Sequence, residues 1–521
     1  MRSTQGLAFA VALAAFIAVC VLQLRSDTAG IVRSSTKVGD TPVTVYRSTS
    51  EEAAPVVVIA HGFAGSRSLM EPLALAVAGR GYVVATFDFL GHGRHPRPLS
   101  GDLMSQEGTP ALLVEQTREV VDAATEFPGV DGRVAVAGHS MATDILVRYA
   151  QSDARVAATV GISMYAPTVD SVSPRNLLAV VGALEGRLVA EARRVVAMVA
   201  DIDSAEVEPF VAYGRAADGA VRRFAPAPRV EHIGVLYSAT TLDETVAWLD
   251  RAFERGRVDP VAGRAHGRGL WILALMIGVF LLARPLSARL PRVFDTPRGA
   301  SADWRRIGIV AGLPAVVTPL ILRPIPTSFL PVVVGDYLAV HFLLFGVLGA
   351  GLLWWTGGRP DVATLLGRAG LRGGRGRRVL AGSSLMIAFF LLLVAWPLDR
   401  FFTSFVPIPE RLPLLGAVLI GTIPYFVADE WLTRGADARR GAYATTKLLF
   451  LLSLGVAVAL DFEGLFFLIL IVPVILAFFF VHGLFSRWVY RATGSPVVAG
   501  LGNAVAFAWA LAVTFPLYAG P

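Results

Sequence analysis

The stretch RVAVAGHSMATDILVRYA breaks a β-branched run at Gly138-His139-Ser140-Met141-Ala142 and resumes with helical periodicity. A serine at such a break is a candidate nucleophile. The sharp turn lifts Ser140 out of a sheet, small neighbours let strand and helix approach, and the helix start aims backbone N–H groups at an oxyanion. An alcohol is a weak nucleophile, so it needs a base, and the base needs an acid to orient it. The first histidine after Ser140 is His232; His266 comes next but abuts an apolar block. Acidic candidates between them include Asp170 in YAPTVDSVS and Glu185 in RNLLAVVGALEGRL. Upstream, His61-Gly62-Phe63 follows the run VVVIA, and Asp88, Gly91, His92 and Gly93 lie in FDFLGHGRHPRP.

The elements that must position these residues show in the hydrophobic pattern. Runs at 56–60, 82–87, 133–137, 157–163 and 176–181 read as strands, with helical stretches such as 110–126 and 144–151 between them. Strands alternating with helices predict a parallel sheet covered on both faces, with ligands at the carboxyl ends of its strands. His232 follows the edge of a further strand and precedes an amphipathic helix.

Over about residues 55–254 these motifs resemble the α/β-hydrolase family. The resemblance implies a mostly parallel sheet with helices on both faces and the chain order nucleophile, acid, base. Carried onto this sequence, that order makes Ser140 the nucleophile, Glu185 the acid and His232 the base, with Asp170 as the alternative acid. It also implies an oxyanion hole built from the backbone N–H groups of Phe63 and Met141, such donors being worth about 3 kcal/mol each in the transition state. Asp88, Gly91, His92 and Gly93 match a structural loop of the family, which makes His92 a turn former. Two positions depart from the pattern: Ala142 replaces the usual second glycine, and Glu185 stands where aspartate is commoner. The stretch 166–175 leaves little room for a lid.

Of the 521 residues, 54% are hydrophobic and 17% charged, below the quarter or so typical of soluble proteins. The acidic groups concentrate in the first half. The expected domains are an N-terminal membrane anchor helix at 1–25, an α/β-hydrolase domain at 26–265 and a membrane domain of about eight helices at 266–521. Apolar blocks at 270–283, 307–322, 337–355, 379–396, 414–428, 448–460, 465–481 and 497–518 are the candidate spans. With the apolar stretch 6–24, that makes nine. No Ala-x-Ala pattern follows 6–24, so an uncleaved anchor is expected rather than a signal peptide.

Every second loop of the membrane half is rich in arginine. Arg284, Arg289 and Arg292 lie in one such loop, Arg359, Arg368, Arg372 and Arg375 in the next, then Arg434 and Arg439, then Arg487 and Arg491. This alternation predicts cytoplasmic basic loops and an extracytoplasmic hydrolase domain. It also accounts for the net charge of +7 without a nucleic-acid partner. The single cysteine, Cys20, excludes an intrachain disulfide.

In the membrane half, Asp429-Glu430 followed by Arg434 resembles the Glu-Glu-x-x-x-Arg motif of CAAX-protease-like intramembrane proteins. Asp429 replaces the first glutamate, Asn503 stands where a ligating histidine is expected, and His482 falls close to the last segment. No metal and no cofactor are therefore expected. The favoured function is hydrolysis of a small or lipophilic carboxylic ester beside the lipid bilayer. The competing readings are a multi-span transporter, channel or signalling protein with an accessory hydrolase-fold domain, and an intramembrane metalloprotease.

Overall fold

The computed structural model describes residues 3–49, 52–102, 105, 107–215, 219–256, 265–358, 363, 365 and 370–520. Arg359 and Arg368, assigned above to a basic loop, lie outside the described residues. Nine strands form one sheet: β1 (Ile31–Val38), β2 (Thr41–Ser48), β3 (Ala54–Ala60), β4 (Val83–Phe87), β5 (Val130–His139), β6 (Val156–Ile162), β7 (Leu177–Gly182), β8 (Ala212–Tyr213) and β9 (Arg222–Ala227). Their spatial order is β1-β2-β4-β3-β5-β6-β7-β9-β8. The strands from β4 through β9 in that order are parallel, while β1, β2 and β8 pair antiparallel at the edges.

The five runs read from the sequence are β3 to β7, and the strand edge before His232 is β9. The β1–β2 hairpin was not anticipated. β1 is exposed along nearly its whole length, so it carries none of the apolar signal that marks a strand with a buried face.

Successive side chains of a strand point to opposite faces, and both faces here are apolar, as a sheet covered twice requires. Val57, Ile59, Ala135, Ala137 and Val160 pack with helices α2 (Glu71–Ala78) and α6 (Ala239–Ala252). Val56, Val58, Val134 and Val136 pack with α3 (Thr109–Thr125) and α4 (Met141–Ser152). Leu177, Ala179 and Val181 meet α5 (Gly186–Ala200). Each crossover returns the chain to the same edge, so all the parallel strands deliver their last residues to one rim.

Among the described residues, nine helices are long and apolar enough to cross a membrane. They are α1 (Ser3–Ser26), α7 (Arg268–Ser287), α8 (Trp304–Leu322), α9 (Gly335–Trp355), α10 (Gly374–Phe401), α11 (Leu412–Thr433), α12 (Ala442–Leu460), α13 (Phe467–Thr493) and α14 (Pro496–Thr514). Several outrun the apolar blocks, because intrahelical hydrogen bonds continue after apolarity ends. α13 carries Arg487 and Arg491 on its last turns and stops only at Gly494, whose φ of 71° closes a left-handed cap. The last block ends sooner than its apolarity suggests. Pro516 forces Phe515 into an extended conformation, and the chain then pairs by Leu517 N–H to the Gly91 carbonyl (2.8 Å) and Leu99 N–H to the Leu517 carbonyl (2.8 Å).

The chain packs as two compact units. One holds residues 17–275 with 398–404 and 516–521; the other holds 1–16, 276–397 and 405–515. Inside the first, Arg268 is fully buried. Its guanidinium meets Glu71 at 2.7 Å, Asp27 at 3.3 Å and the Leu24 carbonyl at 3.1 Å. Removing one partner of a buried ion pair strands the other charge, at a cost of about 3–5 kcal/mol. Glu71→Ala should therefore lower the unfolding midpoint of the solubilised protein substantially. An unchanged midpoint would show that the cluster contributes no net stability.

Candidate active site

Ser140 joins β5 to α4 with φ 54° and ψ −120°, a conformation that costs a non-glycine residue about 1–3 kcal/mol. Small neighbours make the turn possible. A Cβ on Gly138 would lie 2.8 Å from Leu146 Cδ1 and 3.1 Å from the Ala142 carbonyl oxygen. The methyl of Ala142 fits without a gap: the residue is buried in the core between α4 and the sheet. Thr143 fixes the far side of the turn. Its hydroxyl donates to the Ser140 carbonyl (2.6 Å) and accepts from Tyr165 N–H (3.1 Å).

From this turn the Ser140 hydroxyl reaches His232, with Oγ to Nε2 at 2.9 Å, and His232 Nδ1 reaches Glu185 Oε1 at 2.6 Å. The second carboxylate oxygen accepts from the Ser163 hydroxyl (2.6 Å) and the Gly182 N–H (2.8 Å). Asp170 is spent elsewhere. It accepts from Val172 N–H, Ser173 N–H and the Ser173 hydroxyl at 2.8–2.9 Å, which closes its own loop. The structure thus brings Ser140, His232 and Glu185 together and leaves Asp170 apart from them.

Burial raises the Glu185 carboxyl, but hydrogen bonds from His232, Ser163 and Gly182 outweigh it and hold the group below its ordinary value. His232 is partly open to solvent, whereas Glu185 is not. A base facing the cleft and an acid behind it is the arrangement a proton relay needs.

The 61–63 turn abuts Ser140, since a Cβ on Gly62 would sit 2.9 Å from Ser140 Cβ. Phe63 follows that glycine, and Met141 is the first residue of α4. His61 holds the turn through Nδ1–H to the Gly62 carbonyl (2.8 Å) and Nε2 accepting from Phe89 N–H (3.1 Å). Burial lowers its pKa, consistent with the neutral ring those two bonds require. His92 is buried, with Nδ1 on the Leu90 carbonyl at 2.8 Å. Asp88 accepts from Arg67 N–H (2.7 Å) and Arg94 N–H (3.1 Å).

Two residues of the site were missed from the sequence. His139 Nε2 donates to the His232 carbonyl at 2.8 Å, and burial, followed by the His232 charge, pushes its pKa down to about 3. It stays neutral and fixes the backbone that carries the His232 ring. Ser163 was overlooked although it directly follows β6. A polar residue at the carboxyl end of a strand is the signal that could have found it.

The acidic motif of the membrane half does not fit a metal. Lys447 Nζ lies 2.5 Å from Asp429, Arg434 Nε lies 2.9 Å from Glu430, and position 503 is Asn rather than His. Among the described residues no group of three or more His, Cys, Asp or Glu is placed to hold an ion.

The depressed Glu185 pKa has a measurable consequence. Its stabilising contribution is complete above the ordinary glutamate value of 4.5 and is lost as pH falls through the folded value. The difference in unfolding midpoint between wild type and Glu185→Gln should be widest near neutrality and narrow on acidification. A gap that stays constant down to about pH 3 would contradict the assignment.

Residues 51–212 match the family model described as serine aminopeptidase, S33. The match includes Ser140 and Glu185 and ends before His232. No curated protein matches the chain. Among solved structures, a hypothetical protein from Pseudomonas aeruginosa is 12% identical, with 43% of this chain and 94% of that one covered and a TM-score of 0.33. A predicted CIB-like hydrolase from Thermoplasma acidophilum is 14% identical, with 42% and 98% covered and a TM-score of 0.33. An epoxide hydrolase from Vigna radiata is 21% identical, with 26% and 38% covered and a TM-score of 0.21. Together with the sheet order and the strand–Ser140–helix turn, the match gives residues 51–212 an α/β-hydrolase fold.

Proposed function

We propose that the protein is a membrane-embedded serine hydrolase of carboxylic esters, with Ser140 as nucleophile, His232 as general base and acid, and Glu185 as the orienting acid. The relay at 2.9 Å and 2.6 Å is the observation that carries this reading. His232 Nε2 takes the Ser140 proton as Oγ attacks the ester carbonyl. The N–H groups of Phe63 and Met141 receive the oxyanion. The imidazolium, held in register by Glu185, protonates the leaving alkoxide. Water then repeats the sequence on the acyl-enzyme and releases the acid.

A lipophilic acyl group is supported by the surroundings of the relay. Tyr165, Leu184 and Ile233 are large, apolar and exposed, and each lies one or two residues from Ser163, Glu185 or His232. An extracytoplasmic hydrolase domain is supported by the arginine alternation.

A fluorophosphonate probe should label wild type and leave Ser140→Ala unlabelled. Turnover of nitrophenyl esters by Ser140→Ala should fall by about four to six decades. Full esterase activity in that variant would refute the nucleophile. Faster cleavage of aminoacyl anilides than of esters by wild type would shift the reading to a peptidase, as the family description names.

Sidedness has its own test. A reporter that matures only outside the cytoplasm, inserted after Ser35, should be active. A silent reporter, with a cytoplasmic one bright at the same position, would invert the topology.

A further inference from the structure

The helical unit contains a groove of about 410 Å³ between α7, α10, α13 and α14, walled by residues such as Leu385, Phe389, Leu393, Phe485, Trp488 and Ala506. Its size lies within the range of small-molecule sites, and its walls belong to helices long enough to cross a bilayer. The shape has a backbone cause. Pro397 cannot offer an N–H to the Leu393 carbonyl, and α10 responds with a π turn over Phe390–Ala395, in which Trp396 N–H bonds five residues back to Leu391. Such a turn displaces the side chains that line the groove from a regular helical register, and π turns recur at functional sites.

His482 brings a polar ring into this apolar lining. The ring is clamped by stacking on Phe478, with centroids 3.9 Å apart, and by the edge of Phe485 at 5.7 Å. A buried chain fixes its proton. Asn503 Nδ2 donates to Ser486 Oγ (2.6 Å), so its Oδ1 is left to accept from His482 Nδ1 at 3.1 Å. The proton therefore sits on Nδ1, and Nε2 carries a lone pair. Among the described residues no side chain or backbone group donates to that nitrogen. The buried chain Ser486–Asn503–His482 thus leaves one acceptor, Nε2, in an apolar lining, where an unmet acceptor is costly and an ionisable side chain calls for a functional explanation. Arg289, which is exposed, also lines the groove.

We infer that the groove binds a long-chain lipid alcohol, whose hydrocarbon fills the Leu/Phe walls and whose hydroxyl donates to His482 Nε2. A hydroxyl supplies the one proton the site lacks. An ether or ester of the same chain offers only acceptors and would leave Nε2 facing another lone pair. Binding here is separate from the Ser140 relay and does not depend on the hydrolase reading.

The test uses full-length protein in nanodiscs and two photoreactive probes, a long-chain primary alcohol with a diazirine on its tail and the methyl ether of that alcohol. The alcohol should crosslink to peptides of α10 and α13. An unlabelled alcohol should compete about tenfold better than its ether, the size of preference one hydrogen bond supports. His482→Phe retains an aromatic ring to stack on Phe478 while removing the acceptor, so it should abolish that preference and keep tail-driven labelling. Asn503→Leu, which frees the tautomer, should weaken it. Equal competition by alcohol and ether in wild type would overturn the proposal without recourse to any variant. So would an undiminished preference in His482→Phe.

Discussion

Ser140 can meet His232 only because its backbone occupies a region that side chains normally avoid. With φ at 54° the hydroxyl stands clear of the sheet instead of lying along it. The conformation persists because everything around it is over-determined. Gly138 removes the side chain that would strike α4, Thr143 ties the carbonyl down, and Ser140 N–H is bonded to the Ile162 carbonyl at 2.9 Å. The strain of about 1–3 kcal/mol at one residue is small beside the burial of the strands and helices that impose it. A change that relaxed the turn would recover that strain and lose the geometry.

The same rim supplies the rest of the relay from other strands. Glu185 follows β7 after a short turn in which its N–H bonds to the Gly182 carbonyl (2.9 Å), and its longer side chain doubles back to the Gly182 N–H and Ser163. A Cβ on Gly182 would lie 2.6 Å from the Val230 carbonyl oxygen and 2.8 Å from Glu185 Oε2, so the backbone beside the turn, as well as the acid, requires the glycine. Glutamate suits this position because one oxygen must reach His232 while the other is anchored on the strand end. His139, the residue before Ser140, completes the set by donating its Nε2–H to the His232 carbonyl. Five residues from β5, β6, β7 and the segment after β9 hold one another in place.

Much of this was legible in the residue pattern, and the limits follow from what a pattern can carry. The central strands show as β-branched runs because they are buried on both faces. The glycine-serine turn shows because its small residues are sterically required. Glu185 and His232 show through the chain order that the family resemblance implies, and β5, β6, β7 and β9 do follow one another across the sheet in that order. β1 left no trace because it buries almost nothing. The supporting roles of Ser163 and His139 arise only when strands distant in sequence end side by side. The extent of α13 was underestimated because apolarity ends before hydrogen bonding does. The return at 517–519 was hidden because those residues are as apolar as the helix before them.

That return bears on how the two halves of the sequence depend on each other. Leu517 pairs with Gly91 and Leu99, and Gly91 must be glycine there, since at φ 72° its Cβ would lie 2.3 Å from the Leu517 carbonyl oxygen. Gly91 precedes His92, whose ring packs edge-on against Phe63 at 5.7 Å and lies 5.3 Å from His61. His61 and Phe63 form the turn beside Ser140. Ser66, just beyond that turn, shares a hydrogen bond with the Thr403 hydroxyl at 2.9 Å, and Arg94 pairs with Asp399 at 2.6 Å. Residues in the last turn of α10 or just beyond it, and residues after α14, therefore pack on the loops that flank Ser140. The compact unit that holds the sheet includes residues 398–404 and 516–521 as well as 17–275. Segments far apart in the sequence, 398–404 and 516–521, thus belong to the same unit as the sheet and pack on the loops at 61–66 and 88–99.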